Sequence, residues 1–310
     1  MTRFNLGINM GFATNRFPEA EMWARIVAED LGLRHVQLVA DLLNPWWPEY
    51  VLEAELERIQ RATQRYGLQI DTLMSSTLTR YNFFLYPYAE LRNAYVDWYC
   101  KFGQLAARLG AKGIGSHFST FTVHDYADPT RREARLSEAV RLWQEISHIA
   151  RDAGLEYLYI ETMSIPRELA DTIAGAKEIL ARINEHSALP FYFCLDVGHA
   201  PHPSERDPYP WLEQLGKDSR ICHLQQTELN HSRHWPFTEP YNERGIVDPQ
   251  RTLEALTASG AEEIVLAFEI SHRERAEDDP LVIPELAASA RYWREFLPVD
   301  GEWQPQKARA

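Results

Sequence analysis

Cysteine is scarce in this sequence, and long apolar runs are missing. Its three cysteines include no CxxC pair, which excludes a disulfide-rich scaffold and a cysteine-based zinc ribbon. Cys194 and Cys222 lie in apolar runs, so we expect buried free thiols and a reducing, cytoplasmic compartment. No run approaches the roughly 18 apolar residues of a membrane-spanning helix. Because Met1–Asn9 also lacks the apolar core of a secretory signal peptide, we expect no membrane association.

Basic residues are outnumbered as well. The chain has 32 lysines and arginines against 45 acidic residues, which gives a formal net charge of −13 at pH 7. A nucleic-acid-binding protein needs a basic surface that displaces counterions from phosphates, so this charge argues against a nucleic-acid partner. It still allows a local basic pocket for a small phosphorylated ligand. We expect a small-molecule substrate, and homo-oligomerisation stays open.

Short apolar runs alternate with amphipathic, helix-like segments along the whole chain. The predicted strands are Phe4–Met10, Arg34–Ala40, Leu68–Met74, Ala111–His117, Leu155–Glu161, Pro190–Asp196, Arg220–Gln225 and Glu263–Glu269. No glycine-rich nucleotide loop follows the first of them, so a dinucleotide-binding fold lacks its signature. Eight strand–helix units predict an α/β fold with a single (β/α)8 TIM barrel over residues 1–297, followed by a polar C-terminal tail over residues 298–310.

Four of the predicted strands end on residue types that bind metals. These residues are Glu161, Asp196, His223 and Glu269, on the fifth to the eighth predicted strand. The C-terminal ends of barrel strands meet on one rim, where such folds keep their chemistry. Three carboxylates and one imidazole form a mostly oxygen site that suits Mn²⁺, Mg²⁺, Co²⁺ or Fe²⁺ at least as well as Zn²⁺. The alternative is four unconnected strand-end charges that face solvent or pair with arginine.

Two further histidines lie near this rim. His199 follows Asp196 after a glycine, so its side chain is expected to reach the same pocket as a substrate ligand or a second metal ligand. His117 ends the fourth predicted strand and is expected to line the pocket. The alternatives are a loop histidine that caps a helix and a buried structural histidine.

The segments around these residues resemble a known family. The motifs LDVGHA, IETMS, CHLQ and FEIS, between Glu161 and Glu269, are similar to those of the xylose-isomerase-like barrel superfamily. This group includes sugar and sugar-phosphate isomerases and epimerases, inosose dehydratases and metal-dependent apurinic endonucleases. The N-terminal segment and the tryptophan-rich loop at residues 41–48 resemble enzymes assigned to tetrulose-phosphate racemisation in erythritol catabolism.

The resemblance implies roles for individual residues. Glu161, Asp196, His223 and Glu269 would bind one divalent metal ion, while Glu161 and Glu269 would also move protons. His199 would hold a substrate hydroxyl, and Gln225 is expected to contact substrate. The third predicted strand ends Leu73-Met74-Ser75, without the histidine that the three-zinc endonuclease site requires.

The rim loops contribute basic and aromatic side chains. Arg233, within His231-Ser232-Arg233-His234-Trp235, and Arg244 are expected to neutralise a phosphate or a sugar-acid carboxylate. The alternative is a solvated loop or an oligomer contact. Aromatic residues of these loops suit either stacking on a sugar or a dimer interface. They are Trp46, Trp47, Phe83, Phe84 and Trp235.

The function predicted from the sequence is a metal-dependent isomerase or epimerase. Its substrate would be a small ketose or ketose phosphate, with a tetrulose phosphate as one candidate, and its reaction a proton transfer at the carbon next to the carbonyl. Decarboxylation of a 3-oxo sugar acid and dehydration of an inosose stay open, because they use the same metal-enediolate chemistry. A phosphodiesterase of the endonuclease kind and a metal-free binding barrel are further alternatives.

Overall fold

The computed structural model describes residues 2–75, 82–200 and 202–303. Its strands are β1 (Thr2–Asn9), β2 (His35–Val39), β3 (Gln69–Met74), β4 (Gly113–His117), β5 (Tyr157–Glu161), β6 (Phe191–Asp196), β7 (Ser219–Leu224), β8 (Glu263–Phe268) and β9 (Glu302–Trp303). Its helices are α1 (Ala20–Arg25), α2 (Glu49–Tyr66), α3 (Ala89–Arg108), α4 (Val123–Ala127), α5 (Pro129–Asp152), α6 (Ile173–Asn184), α7 (Pro208–Leu215), α8 (Glu239–Asn242), α9 (Pro249–Ala258) and α10 (Val282–Arg294).

The first eight strands close into a barrel. Each of β2 to β7 pairs in parallel with the next strand, and β1 pairs in parallel with both β8 and β2. Helices follow the strands and cover the outside, which confirms the predicted (β/α)8 TIM barrel. All eight predicted strands exist, whereas the short helices α4 and α8 lie in rim loops that carried no helical pattern.

Capping residues mark the ends of several helices. At the start of α5, the Asp128 side chain accepts hydrogen bonds from the backbone N–H groups of Thr130 and Arg131, and Pro129 occupies the first turn. At the end of α2, Gly67 adopts a left-handed conformation with φ of 63°. These caps determine where α2 ends and where α5 begins.

Strand alternation separates two hydrophobic layers. On β5, Leu158 and Ile160 belong to the large core between strands and helices. Tyr157 and Tyr159 point the other way and pack inside the barrel. Their partners inside the barrel are Cys194, Ile221, Val265 and Ala267. The interior face of each strand therefore sets which residues reach the rim.

Glycine on β4 makes room for the interior tyrosines. A Cβ atom on Gly115 would lie 2.3 Å from the backbone oxygen of Tyr159 and 2.4 Å from its ring, and one on Gly113 would lie 2.7 Å from the ring of Tyr157. These contacts are shorter than van der Waals distances, so β4 can accommodate the tyrosines of β5 only without side chains here.

The chain continues past the last helix and packs against the barrel. Glu302–Trp303 pairs antiparallel with β1, and the buried Trp303 ring meets Phe4 edge to face, with centroids 6.3 Å apart. The segment predicted as a polar tail thus begins as a packed strand. Residues 304–310 lie outside the described part. Within the described residues, no helix has the length and apolarity needed to cross a membrane.

We expect Gly115→Ala to destabilise the barrel by about 1–3 kcal/mol, the usual cost of overpacking, because Tyr159 would have to move. Chemical denaturation measures this loss. Gly103→Ala is the matched control, since its added Cβ would sit 3.6 Å from the nearest atom, an ordinary contact inside α3. Equal stability of the Gly115 variant and the wild type would contradict this account of the interior.

Candidate active site

The four predicted ligands meet at the top of the barrel interior. Glu161, Asp196, His223 and Glu269 continue the interior faces of β5, β6, β7 and β8, each two residues beyond an interior residue of its strand. Ligand atoms of the four side chains lie within 4.8 Å of one another, and all four residues are buried. The structure therefore brings together the set that the sequence predicted.

His223 lies at the centre of the cluster. Its Nδ1 atom is 2.8 Å from Oε1 of Glu161 and 3.2 Å from Oε2 of Glu269. Burial raises the pKa of Glu161, and the neighbouring charge of Glu269 adds to this effect. Burial also opposes ionisation of Glu269, but the positive charge of His223 outweighs it and holds the pKa of Glu269 well below its usual range. The two glutamates thus differ in proton affinity.

Burial would lower the pKa of His223, yet the surrounding negative charges raise this pKa well above its usual value. A cluster of three buried carboxylates and one imidazole has an excess of negative charge that a divalent cation would neutralise. The donor set therefore fits a divalent metal ion. The thiol of Cys194 lies near Glu161 and His223, but burial raises its pKa to about 12, so we favour the carboxylates as ligands.

A chain of buried hydrogen bonds orients the ring of His223. Tyr159 Oη donates to the Leu73 carbonyl (3.0 Å) and accepts from Gln37 Nε2 (3.0 Å). This fixes the Gln37 amide so that its Oε1 faces His223 Nε2 at 2.7 Å. Asn9 donates to the same oxygen at 2.6 Å. Nε2 must therefore carry a proton, and Nδ1 is the nitrogen presented to the carboxylates.

Gln225 supports Asp196 and lies outside the cavity wall. Its Nε2 donates to Oδ1 of Asp196 at 2.9 Å, and its Oε1 accepts the backbone N–H of His234 at 2.6 Å. Gly198 makes this packing feasible, because a Cβ there would lie 2.4 Å from the Gln225 amide carbon. The predicted contact of Gln225 with substrate has no support from this buried position.

A cavity of about 500 Å³ opens above the cluster. Glu161 and Glu269 form part of its floor together with His117 and His199, so both predicted histidines line the cavity. The other lining residues are Asn9, Gly11, Phe12, Arg16, Met74, Met163, Ser164, Ser232, His234, Ile270, Ser271, His272, Arg273 and Glu274. Most of the lining residues have polar side chains, which can form hydrogen bonds with a hydroxylated substrate.

Two histidines of the wall, His199 and His234, are held by their Nδ1 atoms. His199 Nδ1 donates to the Thr162 carbonyl at 2.9 Å, and His234 Nδ1 donates to the Glu269 carbonyl at 3.0 Å. The Nε2 atom of His199 is thereby left to face the cavity. Burial would lower the pKa of His199, but the charges of Asp196 and Glu161 outweigh burial and raise this pKa.

Arg233 and Arg244 lie away from the cavity wall. Both form ion pairs with Glu228, and both lie over the ring of Trp235, with guanidinium carbons 5.4 Å and 4.9 Å from its centre. Their predicted role in binding a phosphate has no support from this placement.

The predicted aromatic residues of the rim also lie elsewhere: Phe84 is fully buried in the core, and Trp46 packs near Tyr95. Phe12 is the aromatic residue of the described wall. Residues 76–81 of the predicted rim loop at residues 75–87 lie outside the described residues.

Sequence reasoning missed several residues of the site. Gln37 and Tyr159 orient His223, and His234 lies between Gln225 and Glu269. The sequence could have indicated a role for Gln37, since it is a polar residue inside the apolar strand HVQLV. Tyr159 gave no such indication, because a tyrosine in an apolar strand is ordinary.

Comparison with known proteins agrees with this architecture. Residues 26–295 match the family described as Xylose isomerase-like TIM barrel. The chain is 34% identical over 297 residues to D-erythrulose 1-phosphate 3-epimerase from Brucella abortus (strain 2308), covering 94% of this chain and 96% of that protein.

Two solved structures are similar over most of the chain. One is a protein from Rhodospirillum rubrum ATCC 11170, with 28% identity, a TM-score of 0.85 and coverage of 94% of this chain and 99% of that chain. The other is the IOLI protein with a bound zinc atom, with 19% identity, a TM-score of 0.68 and coverage of 95% and 98%. The chain belongs to the xylose isomerase-like TIM barrel family.

Proposed function

We propose that this protein is a divalent-metal-dependent epimerase of a small ketose phosphate, and that a tetrulose phosphate is its substrate. One observation carries the proposal: two buried glutamates, Glu161 and Glu269, form part of the floor of the cavity, and their oxygens are within 4.8 Å of each other and both close to Nδ1 of His223. The name of the Brucella abortus relative, a D-erythrulose 1-phosphate 3-epimerase, supports this substrate class.

Glu161, Asp196, His223 and Glu269 would hold the metal ion. When bound, a divalent ion polarises the ketone and stabilises negative charge on its oxygen, which acidifies the adjacent C–H bond. Nδ1 of His223, the nitrogen that Gln37 leaves facing the carboxylates, would be the nitrogen that holds the ion.

The two glutamates would carry the proton transfer. One carboxylate removes the proton from the carbon next to the ketone, and the electron pair of that C–H bond moves toward the carbonyl oxygen. The other glutamate, as a carboxylic acid, returns a proton to the opposite face of the same carbon. The opposite shifts in the pKa of Glu161 and Glu269 agree with one proton shared between two acids. His199 would accept or donate a hydrogen bond at a substrate hydroxyl through Nε2.

The first prediction concerns proton exchange. In D₂O with Mn²⁺, the protein is expected to introduce deuterium at the carbon next to the carbonyl of erythrulose 1-phosphate, which NMR detects. Glu269→Gln should slow this exchange at least about 100-fold, the usual contribution of a general base.

Metal content of the Glu269→Gln variant is measured alongside, so that loss of the base is distinguished from loss of the ion. Glu277→Gln is the control, since Glu277 is an exposed carboxylate on the same loop. A Glu269→Gln protein that exchanges at a near-normal rate would rule out this residue as the base.

The second prediction concerns metal removal. Treatment with a chelator should lower the thermal midpoint, because the buried carboxylates lose the cation that separates their charges. Saturating Mn²⁺ at about 100 times its Kd should restore about 2.7 kcal/mol of stability. Differential scanning calorimetry measures the shift, and Ca²⁺-free buffer without chelator is the control. An unchanged midpoint after complete removal would show that the cluster does not depend on an ion.

The third prediction concerns Gln37 as a residue that positions His223. Gln37→Leu should weaken Mn²⁺ binding about 10- to 100-fold, the usual effect of removing a hydrogen bond to a ligating histidine. Gln37→Glu keeps an oxygen acceptor for Nε2 and should retain most of the affinity. Calorimetric titration of the chelated protein measures both values. Equal weakening in the two variants would mean that packing around Gln37, and not its acceptor oxygen, supports the site.

A further inference from the structure

We propose that Arg273 forms the binding site for the phosphate of the substrate, at the outer end of the cavity. This inference rests on the proposed function, because it names the residue that would make a ketose phosphate preferred over the free ketose. It places the phosphate on the loop after β8, and not at Arg233 and Arg244 on the loop after β7.

The loop after β8 runs from the floor of the cavity to its outer opening. Glu269 lies in the floor, and each residue from 269 to 274 forms part of the wall. Arg273 is exposed at the outer part of this loop. The ketone and the phosphoester of a small ketose 1-phosphate are only a few bonds apart, so a ligand whose reacting carbon sits at Glu269 can place its phosphate along this wall.

Arginine charges in the described wall come from Arg16 and Arg273. Arg16 is already neutralised, since its Nε lies 2.6 Å from Asp279 and its Nη1 lies 3.2 Å from Glu274. Arg273 has no ion-pair partner among the residues that the structure describes. Of these two arginines, Arg273 therefore keeps a positive charge that no described acidic side chain neutralises. A phosphomonoester dianion has the charge and the oxygen acceptors that complement a guanidinium.

The backbone that carries Arg273 is held in place. Arg16 donates hydrogen bonds to the carbonyls of His272 and Arg273, and the backbone N–H of Ser271 donates to the His234 carbonyl at 2.9 Å. A fixed backbone reduces the entropy that the arginine loses on binding. The position also agrees with the general location of phosphate sites in TIM barrels, on the loops after the last two strands.

The test compares kcat/KM for erythrulose 1-phosphate and for free erythrulose. Arg273→Met should lower the ratio of the two values about 10- to 100-fold, as expected for the loss of charge-assisted hydrogen bonds, and mainly through KM of the phosphorylated substrate. Arg273→Lys keeps the charge and should recover part of the ratio. Arg275→Met is the matched control: Arg275 is an exposed arginine on the same loop, paired at 4.0 Å with Glu277, and its loss should leave the ratio unchanged.

An unchanged ratio in Arg273→Met, or an equal fall in Arg275→Met, would overturn the inference.

If the wild-type protein exchanges no proton of either ketose, the proposed function fails and the inference is judged by binding alone. Calorimetry then measures Kd of erythrulose 1-phosphate for the wild type and the two methionine variants. A 10- to 100-fold weaker Kd for Arg273→Met alone supports the phosphate site, and three equal values refute it.

Discussion

The structure depends on gathering three carboxylates and one imidazole in a buried place. The charge of Glu269 and burial both raise the pKa of Glu161. Among the described residues, His223 is the main group that offsets the negative charge, and His199 and His234 add to it. A barrel solves the geometric part of this problem, because parallel strands bring their C-terminal ends to one small ring. Without a cation, the closeness of the carboxylates destabilises the cluster, whereas the same closeness lets them bind a divalent cation together. It also places two glutamates beside any substrate carbon that lies above them.

Packing below the cluster is part of the site. The glycines of β4 admit the tyrosines of β5, and Tyr159 uses its hydroxyl to fix the amide of Gln37 against His223. The orientation of one imidazole is thus set by Asn9, Gln37, Leu73 and Tyr159, which lie on β1, β2, β3 and β5. In physical terms, the hydrophobic interior and the four clustered side chains form one continuous structure, so a change in the packing inside the barrel is expected to reach the cluster.

The arginines near the loops after β7 and β8 have different ion-pair partners. After β7, Arg233 and Arg244 satisfy Glu228 and cover Trp235, which makes a self-contained ion-pair cluster on the rim. On the loop after β8, Glu274, Asp279 and two backbone carbonyls bind the guanidinium of Arg16, which comes from the segment after β1. These contacts hold the part of the wall from Glu269 to Arg273. The arginines of the rim therefore differ in which acidic side chains lie within reach of them.

The sequence by itself predicted the barrel and the four residues that meet at its rim, because strand periodicity and a polar residue at a strand end are local features. It also predicted that His199 and His117 would reach the pocket, since each follows a strand directly. Tertiary structure decided the rest. Whether Gln225 faces substrate or Asp196 depends on a partner 29 residues away in the chain. The ion pair between Arg233 and Glu228 depends on how the loop after β7 folds, because their sequence separation alone does not fix it. The role of Gln37 depends on Tyr159, which is 122 residues distant, and no local pattern encodes such a contact.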